Sequence, residues 1–251
     1  MADAEAELPP VPVEADEAAP APAEADADGE VQPPNPNGIN LRAPSKYLKD
    51  PANASTTTGE PFDSPSLDWL WRTWAVTHST LSMWRSARNV RITYKPYKPE
   101  VQPVANDNLV EYEKKSGKVK AVRGIEKPHP KIPAAWNWRG RGLLAVASSH
   151  WEILGWGERP LPEDADDDVE RWAVTWFAPT LFTQEGVDIY SDRPEGLSAE
   201  TVDAILTALK DLKDAPKLVA LVEKSMQEVE ISLPWKEKGQ KSQPPASSNT
   251  E

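Results

Sequence analysis

The chain has 251 residues, a net charge of −12, eleven tryptophans and no cysteine. The missing cysteines exclude a disulfide framework, a Cys-ligated zinc site and thiol catalysis. The sequence has no apolar run of about 18 residues, the length a spanning helix needs, and no basic and apolar leader at its start; no membrane span is expected, and a cytosolic or nuclear location is.

Residues 1–41 hold ten Asp/Glu and no Lys/Arg, which leaves the rest of the chain near −2. Such an Ala, Glu, Asp and Pro run cannot bury enough apolar surface to offset its ordering entropy. Residues 1–65 are therefore expected to be a disordered tail, and residues 236–251 a second one. An acidic chain without a dense basic patch is a poor partner for nucleic acid or an anionic membrane.

Residues 68–79 are aromatic and β-branched enough to be a strand from their start, with Trp74, Val76 and His78 on one face. Residues 89–97 alternate again, with Val90, Ile92 and Tyr94 together. Residues 109–114 and 118–125 read as a hairpin turning at Gly117. Residues 136–156 exceed one ordinary strand, and Gly140 and Gly142 mark the break. Residues 158–170 read as a loop; 171–179 and 186–190 are two more strands. Ser198 then caps a helix with Ile205, Leu206, Leu209 and Leu212 on one face. Asp214 and Pro216 open a second helix, taken as 214–235, with Leu218, Leu221, Val222 and Val229 on its apolar side. Strands followed by terminal helices predict a mainly β chain: one antiparallel barrel over residues 66–213 with a packing helix.

The stretch RTWAVTHSTLSMW (72–84) resembles the first-strand signature of lipocalin-like proteins of the calycin superfamily, with Arg72 standing where that signature has Gly. WNWRGRGLLAVASSHWEILGWGE and WAVTWFAPTLFTQEGVDIYSDRP are similar to stretches of uncharacterised fungal lipocalin-like proteins. The resemblance spans about 68–212 and implies an eight- to ten-stranded barrel around a cavity for one small apolar molecule. It implies that Trp74 seals the barrel base. Arg193, after the last strand, would pack across it.

Within LLAVASSHWEILGWGE, one face of an extended strand carries Ser148, His150, Glu152, Leu154 and Trp156; the other carries Ser149, Trp151 and Ile153. Periodicity does not say which face is inside. If the even face lines the cavity, His150 and Glu152 form an acid/base pair, with His78 a second polar group. In the alternative they pair with Arg or backbone groups and are structural. Trp138, Trp156, Trp172, Trp176 and Tyr94 are candidate ligand-stacking residues, or simply core. Asp188 and Tyr190 share a face of the last strand, as a pocket acceptor and donor or as a solvated face. No HxH or HxxxH spacing suggests a metal, and no cofactor fingerprint is present. The expected role is binding of a small hydrophobic ligand. Two alternatives stay open: a cofactor-free cyclase or isomerase of secondary metabolism, and a scaffold whose acidic tail recruits a basic protein partner.

Overall fold

A computed structural model describes residues 38–161, 169–180 and 183–236. The strands are β1 (Thr73–Ser79), β2 (Ala87–Tyr97), β3 (Ala105–Lys114), β4 (Val119–Pro128), β5 (Ala135–Gly140), β6 (Ser148–Pro160), β7 (Val169–Phe177), β8 (Gly186–Ser191) and the short β9 (Gln227–Glu228). Each strand from β1 to β7 pairs antiparallel with the next, and β1 pairs with both β8 and β2, so the sheet closes; β9 adds to β1. Helices α2 (Ala199–Lys210) and α3 (Pro216–Ser225) follow the last barrel strand. This is the lipocalin-like architecture that the resemblance implies.

Two apolar layers hold it. Inside the barrel lie Trp74, Val76, Ile92, Tyr94, Trp136, Trp151, Ile153, Trp156 and Tyr190. Outside, Trp172, Val174, Trp176, Val187 and Ile189 pack under Ile205, Leu209, Leu218 and Val222 of the two helices. The Ser198 hydroxyl caps α2 by accepting from the Thr201 N–H. Strand alternation thus serves both layers: one face of β7 and β8 fills the barrel and the other carries the helices.

Several expectations need correction. Residues 67–70 are not strand but a single helical turn, α1 (Leu67–Leu70), capped by the Ser66 hydroxyl. β6 runs on to Pro160, into residues expected as loop. Helix α3 stops at Ser225, and Val229 lies in an extended segment buried in the barrel layer. The expected tail over residues 1–65 is too long: residues 38–65 pack on the barrel, with Leu41 and Arg42 fully buried. Residues 1–37 and 237–251 lie outside the described residues.

Both terminal segments satisfy backbone groups that the barrel wall leaves open. Between Ile153 and Gly155 the β6–β7 register slips by one residue. The freed Leu154 carbonyl accepts from the Arg42 N–H at 2.8 Å, and the Ile153 carbonyl from Arg42 Nε at 3.0 Å. Gly155 permits this approach, because a Cβ there would lie 2.3 Å from Leu41 Cδ2. At the other seam β1 and β2 pair only from Thr73 to Ala75 and then part. The C-terminal segment enters the gap: Val229 N–H donates to Thr77 O, and Asn89 N–H donates to Glu230 O, both at 2.8 Å. Asn89 is left-handed at φ 50, a conformation its short amide tolerates. Its side chain donates to Ser232 O and Glu113 Oε1 and accepts from Ser232 N–H.

Asn89 should therefore control closure. Asn89→Ala, which loses three side-chain bonds, is expected to cost about 3 kcal/mol in urea unfolding. Asn89→Gly, which keeps the backbone freedom, should cost less. Equal, negligible losses for both would contradict the role of the C-terminal segment as part of the wall.

Candidate functional site

Register fixes what faces inward. Trp151 pairs with Phe177 and Trp136, Ile153 with Thr175, and Trp156 with Ala173, which pairs with Tyr190. On the far wall Tyr94 pairs with Asn108, and Asn106 with Glu126, which pairs with Trp138. Before the β6 bulge the odd residues point inward, so His150 and Glu152 point out. After it the even ones do, which turns Trp156 inward. A bulge in β1 between Val76 and His78 likewise turns His78 away and brings Ser79 in, where its hydroxyl donates to Asp188.

The base of the barrel is sealed. The Trp69 ring lies 4.9 Å from those of Trp74 and Trp156, and the Arg72 guanidinium sits 5.5 Å from the Trp69 and Trp74 centroids. Asp192 accepts from Arg72 at 3.3 Å and Arg171 at 3.0 Å; Glu158 accepts from Arg171 at 2.7 Å and Trp69 Nε1 at 2.9 Å. Trp74 thus lies in this cluster, its Nε1 donating to the Leu70 carbonyl at 3.0 Å. The cation across it is Arg72, whereas Arg193 pairs with Glu195. Arg72 fills this place because its own Nε is anchored on the Trp69 carbonyl.

Above the base, Trp151 is stacked between Trp136 at 4.5 Å and Tyr94 at 5.4 Å. Around this stack lies a polar cluster of Glu126, Asp188, Tyr94 and Tyr190, all buried. Burial pushes Glu126 up to about 8, against the bond it accepts from Asn106. Burial pushes Asp188 up to about 7, against the Ser79 hydroxyl, Trp84 and the more distant Arg85 charge. Burial also raises both tyrosines well above their ordinary range. Neither Glu126 nor Asp188 has an ion pair among the described residues, whereas buried Glu113 and Glu152 do. The indole N–H groups of Trp136 and Trp151 and the Tyr190 hydroxyl make no hydrogen bond. Trp151 Nε1 lies beside the Glu126 carboxyl, and the Tyr190 hydroxyl beside Tyr94 and Thr175.

The His150–Glu152 pair exists, at 3.1 Å, but under the N-terminal segment outside the barrel. Burial raises Glu152; the His150 hydrogen bond, Arg42 at 3.2 Å and Ser45 outweigh it and hold the carboxyl low. His150 also contacts Asn137 at 3.0 Å. This is the structural alternative, an Arg-paired carboxylate, and not a cavity wall. Trp172 and Trp176 belong to the helix-side layer, with Trp176 Nε1 donating to Glu185. Ser148 is exposed at the start of β6. Of the expected ligand-stacking residues, Tyr94, Trp138 and Trp156 face the interior. Glu126 was not anticipated. Its strand, KVKAVRGIEK, alternates Val122 and Gly124 with Arg123 and Ile125, so the acid reads as solvent-facing.

No protein-family model matches the chain, and no curated protein matches it. Among solved structures it is similar to apocrustacyanin C1, at 12% identity over 68% of this chain and 82% of that one, TM-score 0.45. It is also similar to lobster apocrustacyanin A1, at 11% identity over 67% and 81%, TM-score 0.41. H1 crustacyanin from the lobster Homarus americanus aligns at 12% identity over 64% and 76%, TM-score 0.42.

The buried acids give a signed pH prediction. The folded chain keeps the Glu126 proton to about 8, whereas the unfolded chain loses it near 4.5. Folded protein therefore binds more protons in that interval, and stability falls as pH rises through it. Asp188 acts in the same sense up to about 7. His78 and His129, lowered by burial, act oppositely but only up to about 6.5. Between pH 7 and 9 the urea midpoint should fall and then level, and Glu126→Gln should remove the fall. A flat wild-type profile, or the same slope in the variant, would contradict it.

Proposed function

We propose that the barrel interior holds one small, flat, mostly apolar molecule bearing hydrogen-bond-accepting oxygens. The observation that carries this is the buried Trp136 Nε1, which has no partner, beside Trp151 Nε1 and the Tyr190 hydroxyl, whose polar neighbours belong to the same interior cluster. Leaving such a group unpaired costs about 1–3 kcal/mol, and an acceptor on a ligand would recover it. Carboxyls raised to about 8 and about 7 hold protons near neutrality and add donors. The Tyr94–Trp151–Trp136 stack favours a planar partner.

A second reading is supported by Glu126 and Asp188 themselves. Two buried carboxyls titrating near neutrality suit proton transfer to and from a bound carbonyl compound, as a cofactor-free isomerase or cyclase would need. In both readings the ten acids of residues 1–41 remain a segment for a basic protein partner, and the location is cytosolic or nuclear.

Tryptophan fluorescence of the full chain, titrated with anthracene and with anthraquinone, tests the proposal. Saturable quenching is expected, tighter for the quinone by about tenfold, equal to about 1.4 kcal/mol. Trp136→Phe should erase most of that preference, and His150→Ala should leave it unchanged. No saturable quenching, or a loss with His150→Ala equal to that with Trp136→Phe, would contradict the site. Glu126→Gln abolishing turnover of a bound ketone while binding persists would establish the second reading.

A further inference from the structure

The connection between β5 and β6 holds the two most exposed large apolar side chains among the described residues, Leu143 and Val146. Residues 141–146, Arg-Gly-Leu-Leu-Ala-Val, are all exposed. Leu143 is 102% and Val146 92% accessible, and Leu144 42%. The loop is not loose chain. Gly142 turns it at φ 62, Arg141 N–H donates to Arg123 O, and Arg139 Nε holds the Ala145 carbonyl at 3.0 Å. The Gly140 N–H donates to Ala147 O across its neck. The fold therefore presents three large aliphatic side chains to water on a hydrogen-bonded knuckle.

The surroundings are cationic. Arg123, Arg139 and Arg141 flank the knuckle and are all exposed. In an up-and-down barrel the β3–β4 turn emerges at the same end, and it brings exposed Lys114, Lys115 and Lys118. Met83, 49% exposed on the β1–β2 connection, adds a further apolar side chain there. The acids near this end are engaged or lie apart. Asp107 faces Arg141 at 3.6 Å, Glu113 is buried against Arg88 and Lys236, and Glu230 pairs with Arg88. Glu228 lies on the C-terminal segment. Net charge hid this patch, because its cations come from positions 114–141 while ten of the acids crowd into residues 1–41.

We infer that the apolar knuckle Leu143, Leu144 and Val146, ringed by arginines and lysines, is a docking surface for an anionic lipid bilayer. A protruding tip suits insertion among acyl chains, and arginines at its neck reach the headgroups. Each basic side chain near an anionic surface contributes on the order of 1 kcal/mol. The surface stands independently of the interior ligand site.

Co-sedimentation of the full chain with vesicles tests it, using phosphatidylcholine alone and phosphatidylcholine with about a third phosphatidylserine, the anionic lipid that draws basic segments. Binding to the anionic vesicles is expected, weakened at least tenfold by Leu143→Ser with Val146→Ser and, separately, by Arg139→Gln with Arg141→Gln. Circular dichroism keeps fold loss apart, and these exposed changes should leave it unaltered. No binding, equal binding to neutral vesicles, or indifference to the Leu143 and Val146 changes would overturn the proposal. So would a concentration-dependent dimer that the serine changes abolish, since the knuckle would then join two copies of the chain.

Discussion

Three backbone pairings, Thr73–Thr93, Trp74–Ile92 and Ala75–Arg91, close the barrel, and every interior contact depends on that closure. The seam is too short to protect the wall by itself. Above it β1 and β2 diverge, and unpaired peptide groups would face the interior at a cost comparable to a lost hydrogen bond each. Val229 and Glu230 supply the missing partners, and Asn89 fixes them there through its amide. The N-terminal segment does the same at the β6 bulge through Arg42. Chain segments that composition marks as tail are thus parts of the wall. The same bulge decides which side chains enter the barrel, so backbone satisfaction and the identity of the site are one problem.

The two buried acids show what the closed wall does to chemistry. Glu152, outside, has Arg42, Ser45 and His150 around it and is held low. Glu126, inside, has Asn106 and aromatic rings and is raised. The residue type is the same, and the difference is the presence of a cation and of aligned donors. An acid kept protonated in an apolar interior is a donor and a proton store, whereas a salt-bridged one is a clamp. The interior therefore keeps its acid, Glu126, without a cation, and the outer cluster fastens the N-terminal segment.

Much of the fold was legible in the sequence, because alternation in residues 89–97 and 171–177 and the 3.6-residue stripe after Ser198 are direct consequences of burial geometry. That Trp74 and Val76 share a face was legible for the same reason. The site was less so. Strand parity is lost at a bulge, and nothing in WEILGW or AVTHS announces one. The slip in β6 set Trp156 inward while His150 and Glu152 before it face out, and the slip in β1 turned His78 out and Ser79 in. Glu126 escaped notice because a charged residue in a strand ordinarily marks the wet face. Arg42 was concealed in a Pro- and Asn-rich stretch, where one buried guanidinium leaves no periodic trace.

The central claim is that the interior aromatic and carboxyl cluster, and not the outer His150–Glu152 pair, meets the ligand. The direct measurement is an indole 15N–1H spectrum of the full chain, with Trp136 and Trp151 assigned through single Trp→Phe variants, recorded before and after adding anthraquinone. The account predicts that the Trp136 and Trp151 N–H signals shift downfield and gain protection from solvent exchange, while the His150 ring signals stay in place. Movement of His150 with the two indoles unchanged would contradict it.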